Sequence, residues 1–377
     1  MRIMFFANSA AFFYSHRIEL ARSCLRKGYQ VHLVAPLDIP LDTLKKEGLC
    51  YHKFSLSKYG MNWILELFAL IKLMYLCKRL SPSLVHAVTV KPVIYAGMVA
   101  RLLRIPCVVL ALPGLGQSLV HKLTASDLNS VLIRALLGMA LNHKNCRVIL
   151  QNKDDLRDIV DAGFDIRKKV RLIRGSGVSL KSYSYNNEPE KGELIVVMAC
   201  RLLRQKGIPE YVEAAKILSK LGRGISMELY GSIEEGNPDS LDRLELAELR
   251  ASTAVRFRGY SAHMEQVYRA CHIVCLPSYY GEGLPKSLIE AAACGRPIVT
   301  TNHRGCRDAV VDGSTGILVP VKDPKALADA ITMLSSDNVL RKEMGVRARR
   351  FAEQHFDING VTQKHLKIYK DLSDSCD

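Results

Sequence analysis

Two carboxylates, Glu282 and Glu290, are separated by seven residues in the run Ser278-Tyr-Tyr-Gly-Glu-Gly-Leu-Pro-Lys-Ser-Leu-Ile-Glu290. Gly281 and Gly283 bracket the first carboxylate. Pro285, a residue favoured in the first turn of a helix, opens the pattern that carries the second. A short apolar run, Ile273–Leu276, comes just before. In α/β sheets ligands gather at the carboxyl ends of strands, where helix starts offer N–H groups to phosphates. Glycines there let backbone approach a ligand closely. A carboxylate in such a turn can accept hydrogen bonds from sugar hydroxyls, and one in the following helix can grip a ribose diol. A second cluster, Cys200-Arg-Leu-Leu-Arg-Gln-Lys-Gly207, follows the strand-like Leu194–Ala199. There Arg201 and Lys206 suit a diphosphate and the charge that builds on it as it leaves. Taken singly, each cluster reads more simply as charged surface.

The elements that must hold these residues alternate along the whole chain. Ile3–Ala7, Val31–Ala35, Leu84–Ala87, Cys107–Ala111 and Val148–Gln151 read as buried strands, as do Leu194–Ala199, Ser226–Tyr230, Val255–Arg258, Ile273–Leu276, Pro297–Thr301 and Gly316–Val319. Amphipathic stretches such as His16–Lys27, Ser130–Asn142, Ile208–Leu221 and Lys286–Cys294 separate them. That alternation predicts two doubly wound parallel sheets in an α/β chain. The polar stretch Ser182–Glu190 predicts a boundary between a first domain, 1–181, and a second, 192–354. A last helix, about 355–377, is expected to pack back on the first domain.

A chain of 377 residues, 48% hydrophobic, is long enough for two cores and too apolar for disorder. Its 11 cysteines stand singly, without the spacing of a disulfide framework or zinc site. No signal peptide or spanning segment is expected, because Glu66 and Lys72 interrupt the most apolar run, Met61–Arg79. The net charge of +16 lies wholly in residues 1–181, with 27 Lys+Arg against 11 Asp+Glu, while 182–377 hold 26 of each. That half is expected to face an anionic partner: a membrane leaflet, a nucleic acid or a phosphorylated substrate.

The joined motifs have a family likeness. The Glu-x7-Glu element within GEGLP, the RLxxxKG run, Gly175-Ser-Gly-Val178, Leu229-Tyr-Gly231, Phe257-Arg-Gly-Tyr260 and Gly305-Cys-Arg-Asp308 resemble the retaining GT-B glycosyltransferases of family 4. The resemblance runs over essentially the whole chain and implies two Rossmann-like domains facing a central cleft. It implies that Arg201 and Lys206 stabilise the leaving nucleotide and that Glu282 contacts the transferred sugar. Glu290 would hold the ribose and Gly259–Tyr260 would lie by the base. Gly177, Gly231, Gly283, Leu284, Pro285, Ser287 and Leu288 would complete the donor site, Pro285 having no N–H to give. The donor implied is a UDP-sugar, with N-acetylhexosamines leading. No cofactor is implied, and no metal, since the Asp-x-Asp triplet of the other large glycosyltransferase fold does not occur.

One departure stands out. Many family members keep a His on a first-domain strand end, where this chain reads Ala111-Leu-Pro-Gly-Leu-Gly116. His16, His86 and Lys91 are alternatives on the acceptor side, with Ser9 and Gly114 beside them. Each lone His reads more simply as structural.

NSAxFFxSHR, HAVTVKP and the PGLG turn resemble bacterial members that extend undecaprenyl-diphosphate-linked sugars for O-antigen, capsule or N-glycan assembly. This implies a lipid-linked acceptor, an anionic membrane surface met by the basic first domain, and a cytoplasmic protein held at the inner face of the plasma membrane. Arg167, Lys168, Lys169 and Arg171 are the cluster expected to meet it. Trp63–Leu76 fits a membrane-dipping helix, although burial against the first sheet is the simpler expectation. Rival readings are a GT-B-shaped epimerase or phosphorylase and, from another class, a basic nucleic-acid-binding protein. The second rival lacks aromatic residues interleaved with its basic ones, so no nucleic acid is expected.

Overall fold

A computed structural model of the chain describes residues 1–56, 63–222, 224–252 and 254–375. It divides into two compact units, Met1–Ser176 with Asn359–Asp377, and Gly177–Ile358. The first unit opens β1 (Arg2–Ala7), α1 (Ala10–Arg26), β2 (Gln30–Ala35), α2 (Leu41–Lys46), β3 (Cys50–Lys53) and α3 (Trp63–Leu80). It continues through β4 (Leu84–Val88), α4 (Val90–Leu102), β5 (Cys107–Leu112), α5 (Gly116–Thr124), α6 (Leu128–Leu141), β6 (Cys146–Leu150), α7 (Lys153–Asp161) and β7 (Val170–Leu172). The second holds β8 (Leu194–Ala199), α8 (Ile208–Lys220), β9 (Ile225–Tyr230), α9 (Arg243–Ser252), β10 (Val255–Gly259), α10 (Met264–Ala270) and β11 (Ile273–Leu276). Then come α11 (Lys286–Ala293), β12 (Ile298–Thr301), β13 (Gly316–Val319), α12 (Pro324–Ser336), α13 (Asn338–His355) and α14 (Ile358–Ser373), which returns to the first unit. Residues 376–377 of the helix expected there lie outside the described residues.

Both sheets are parallel throughout, in the order β3-β2-β1-β4-β5-β6-β7 and β10-β9-β8-β11-β12-β13. Helices on both faces bury strands such as Met4–Ala7 and Val197–Met198 almost completely. In the first unit, α3, α4, α5 and α6 cover one face, and α1 with the returning α14 covers the other. The strand runs expected from the sequence are all present. Two edge strands, β3 and β7, add to them, short and only partly buried.

Three expectations change. The division falls at Gly177, not within 181–192. Segment 182–190 is polar because it is pinned, not because it is a free linker: Glu188 makes a buried bidentate pair with Arg341 at 2.7 and 2.8 Å, and buried Arg296 donates to the carbonyls of Asn186 and Asn187. Helix α1 begins at Ala10, earlier than expected, because Ser9 caps it by accepting from the Phe12 N–H. Helix α3 packs on the first sheet along one side only. Only Glu66, Leu73 and Cys77 turn fully inward, leaving Ile64, Phe68, Ile71 and Tyr75 exposed on its outer face. Among the described residues no helix is long and apolar enough to cross a membrane.

Candidate active site

Strand order places the chemistry. In the second sheet β8 and β11 are neighbours although two strands separate them in sequence, so the chain winds outward from both. The connections leaving their carboxyl ends are the two motif-bearing segments, Cys200–Gly207 and Pro277–Pro285, at the point where such a fold binds ligand. They touch directly. A Cβ on Gly207, whose φ is +84°, would come within 2.2 Å of the Pro277 carbonyl oxygen, so only glycine closes this turn. The Tyr279 N–H donates to the Gln205 carbonyl at 3.0 Å across the same junction. Lys206 Nζ then lies 2.6 Å from Glu282 Oε2, with both side chains about nine-tenths buried. Ser278 Oγ donates to the other Glu282 oxygen at 2.7 Å, and the Lys206 ammonium sits 5.3 Å from the Tyr280 ring centroid. Arg201 is half exposed, its guanidinium 2.5 Å from Glu234 in the connection after β9.

Glu290 is the fifth residue of α11, 6% exposed. Burial pushes its carboxyl above the usual range, opposed by Lys286 Nζ at 3.4 Å and by the nearby Tyr183 hydroxyl. Pro285 stands at the N-cap of α11 and Ser287 precedes the first intrahelical bond. Leu288 is a correction: its N–H is spent on the Pro285 carbonyl at 3.2 Å and its side chain is wholly in the core, so it has no donor contact to make. Gly283 and Leu284 are buried in the turn, with Gly305 packed onto the Gly283 carbonyl. That packing brings the His303 segment beside Glu282. The His303 Nδ1 is buried without a partner and burial lowers its pKa.

Gly231 and Gly259 line a cavity of about 300 Å³ at the carboxyl ends of β9 and β10, together with Ser232, Arg243, Arg250 and Phe257. Tyr260 is 77% exposed and outside that lining. Gly177 has a structural reason for its place: at φ +80° it lies against Ile358, and a Cβ would come within 2.8 Å of the Ile358 Cα. That contact accounts for glycine at this position by packing alone.

In the first unit, Ser9, Lys91 and Gly114 follow the carboxyl ends of β1, β4 and β5. Ser9 Oγ donates to Asp38 at 2.5 Å. Lys91 Nζ lies 2.5 Å from Glu66, which also accepts from the Tyr95 hydroxyl. His16 stacks on Phe12 with its Nδ1 3.2 Å from the Phe12 carbonyl oxygen. His86 is a second correction. It sits in the middle of β4, wholly buried under α14 between Phe5, His365 and Tyr369.

Ser278, Tyr183, Lys286 and His303 complete the second-unit cluster and were missed from sequence. No spacing rule ties Tyr183 to Glu290 across so many residues. Ser278, four residues before Glu282, carried a local signal in the glycine turn.

Comparison with known proteins agrees with this geometry. Residues 182–351 match the family described as glycosyl transferases group 1, and residues 2–152 match the one described as glycosyl transferase 4-like. The chain is 26% identical, over 98% of both chains, to N,N'-diacetylbacillosaminyl-diphospho-undecaprenol alpha-1,3-N-acetylgalactosaminyltransferase of Campylobacter jejuni. It is 30% identical to the capsular polysaccharide biosynthesis glycosyltransferase CapM of Staphylococcus aureus, over 45% of this chain and 44% of that one. Among solved structures, Anabaena Alr3699/HepE in complex with UDP-glucose shares the GT-B fold with a TM-score of 0.79 and 20% identity, over 99% of this chain and 100% of that one.

Proposed function

Because this chain belongs to the group 1 glycosyl transferases, with a glycosyl transferase 4-like first unit, we propose that it moves an N-acetylhexosamine from a UDP-sugar to an undecaprenyl-diphosphate-linked saccharide, with retention at the anomeric carbon. The observation that carries the donor half is the Lys206–Glu282 contact at the junction of the two connections. With no donor, the two charges neutralise one another. With donor, sugar hydroxyls take over Glu282 and the diphosphate takes over Lys206 and Arg201. The acceptor hydroxyl attacks the anomeric carbon on the face from which the nucleotide departs. Its oxygen–carbon bond forms as the carbon–phosphate oxygen bond breaks, and the proton passes to the departing diphosphate. Arg201 and Lys206 offset the charge growing there. They supply what a divalent ion supplies elsewhere, so transfer should be unchanged in excess EDTA.

The acceptor half rests on the full-length similarity to the Campylobacter transferase and on the first unit itself. That unit carries 29 Lys+Arg against 14 Asp+Glu, and α3 presents an apolar outer face. Both suit a protein held peripherally on an anionic leaflet. The test incubates purified protein with a panel of UDP- and GDP-sugars and an undecaprenyl-diphosphate-linked sugar. Sugar transferred to lipid, with an α linkage from an α-linked donor, supports the reading. Donor that is epimerised or cleaved to phosphate ester while the lipid stays unextended overturns it.

A further inference from the structure

The guanidinium expected to meet the donor diphosphate has a carboxylate partner that lies in none of the sequence motifs. Arg201 Nη1 donates to Glu234 Oε2 at 2.5 Å. Among the described residues its Nε and Nη2 make no hydrogen bond, and the side chain is half exposed. Glu234 lies in the connection between β9 and α9, where it is itself held. Asn237 Nδ2 donates to the same Glu234 oxygen at 2.9 Å, and the Glu234 N–H donates to Ser240 Oγ at 3.0 Å. Its neighbour Glu235 makes an ordinary surface pair, with its side chain 86% exposed and 3.6 Å from Arg243. The Glu234 side chain is only 22% exposed.

The connection that carries Glu234 is laced to the run that carries Arg201. The Leu202 N–H donates to the Ser232 carbonyl at 3.0 Å, and the Leu241 N–H to the Leu202 carbonyl at 2.8 Å. Leu203 and Ser240 form an antiparallel bridge. The Arg204 N–H donates to the Asp239 carbonyl at 2.9 Å, and the Gln205 N–H to Asp239 Oδ2 at 3.1 Å. The Arg204 guanidinium closes the connection by donating to the Ser240 carbonyl at 2.9 Å and to the Glu245 carboxylate. Residues 202–205 thus pair with both ends of the connection, and backbone as well as side chains sets Glu234 against Arg201. A half-exposed arginine samples many rotamers, and fixing it at the moment of binding costs affinity. A carboxylate on Nη1 removes much of that cost. It leaves Nε and Nη2, which share one edge of the planar guanidinium and can grip an anion as a fork.

We propose that Glu234 is a positioning residue, which holds Arg201 by Nη1 and so presents the Nε–Nη2 edge to the donor diphosphate before the donor arrives. The proposal rests on the reading of Arg201 as a diphosphate ligand. It adds that the grip on the diphosphate is set by the connection after β9, and that Glu234 stays on Nη1 when the diphosphate binds.

The experiment measures UDP and uridine binding by calorimetry for wild type, Arg201→Ala, Glu234→Ala, Glu234→Gln and the double alanine variant. Uridine lacks the diphosphate and reports the rest of the site, including whether each variant is folded. Glu234→Ala should weaken UDP about fivefold, the scale of freezing one long side chain on binding. Uridine binding should change little, and the melting temperature should hold. Glu234→Gln keeps an oxygen for Nη1 and should recover most of the loss. In the Arg201→Ala background, Glu234→Ala should cause no further loss, because the group it positions is gone. The kcat/KM for sugar transfer should follow the same order. Equal weakening of UDP and uridine by Glu234→Ala, or a further loss in the Arg201→Ala background, means a merely structural role and overturns the proposal. A glutamine variant no better than alanine overturns it as well. So does tighter UDP binding by Glu234→Ala, since the carboxylate would then compete with the diphosphate for Arg201. If Arg201→Ala itself keeps full affinity for UDP, the diphosphate reading falls and takes the proposal with it. If Arg201→Ala loses that affinity and Glu234→Ala does not, only the proposal falls.

Discussion

Lys206 and Glu282 lie 2.6 Å apart with little exposure, so removing either does two things at once. It strips a group from the transferred sugar or the leaving diphosphate, and it leaves a buried charge unpaired. Lys206→Ala should lower kcat by at least about 100-fold, the scale of losing one preorganised stabiliser of developing charge. It should also cost roughly 3 kcal/mol of stability, the low end for breaking a buried pair. Glu282→Ala should behave alike. The informative variant is Lys206→Met with Glu282→Gln, which removes both charges and keeps the volume. Denaturant unfolding should show most of the stability restored, while radiolabel transfer stays absent. Recovered turnover in that variant would mean that the pair is structural. The sequence brought out both residues but in separate roles, because 76 positions divide them and only the adjacency of β8 and β11 makes them partners. His86 misled for the opposite reason: a histidine in a strand next to a motif reads like a site residue, and only the return of α14 shows it sealed.

At the scale of elements, strands were legible because a parallel strand buried on both faces is a plain apolar run. Edge strands β3 and β7 lack that mark. Helix α3 was half legible, packing on the sheet as expected on one side, because hydropathy around a helix says how apolar it is and not which side another element covers. The segment 182–190 was read as the boundary because it is polar and lacks apolar periodicity; nothing local shows that its carbonyls and Glu188 are matched by arginines far along the chain. Helix α14 offers a test of how the return is held. It docks on β4 and α1 through His365 and Tyr369, against His86 and Arg17. Burial, with Arg17 nearby, holds His365 down to about 3 and His86 well below its ordinary range, while burial lowers Arg17 itself to about 10. Both imidazoles are neutral in the folded chain and gain a proton on unfolding below about pH 6.5. Their contribution is therefore complete above pH 6.5 and is lost as pH falls toward 3, at about 1.4 kcal/mol per unit for each. Unfolding free energy should drop between pH 6.5 and 5.5, and His365→Leu should remove about half of the part due to this pair. Hydrogen exchange should show α14 opening first. A slope unchanged in His365→Leu would mean that other groups govern the acid limb.

Across the whole molecule the charge divides between the two units almost as it does between the halves of the sequence. The first unit has 29 Lys+Arg against 14 Asp+Glu, and the second, Gly177–Ile358, has 24 against 23. A surface charge excess attracts an anionic leaflet over about one Debye length and is screened by salt, whereas apolar insertion is not. The cluster 167–171 is a poorer membrane face than its composition implies. Lys169 is spent on the carbonyls of Leu141 and His143, Arg171 on those of Lys168 and Val170, and Arg167 lies 3.6 Å from Asp165. Helix α3 fits better. Ile64, Phe68, Ile71 and Tyr75 make its exposed outer face, and Lys78 and Arg79 are exposed in its last turn. Ile64→Ser with Phe68→Ser should lower binding to anionic vesicles about 100-fold or more at any salt concentration, since each inserted side chain contributes about 1.5 kcal/mol or more. Lys78→Gln with Arg79→Gln should weaken binding about fivefold per charge at low salt and scarcely at all near 1 M. Sedimentation with vesicles of defined anionic content separates the two. If the serine pair leaves binding intact while salt abolishes it, attraction is purely electrostatic and α3 does not enter the leaflet. If both pairs lower binding additively, the basic end brings the unit to the surface and the apolar face holds it there, within reach of a lipid-linked acceptor.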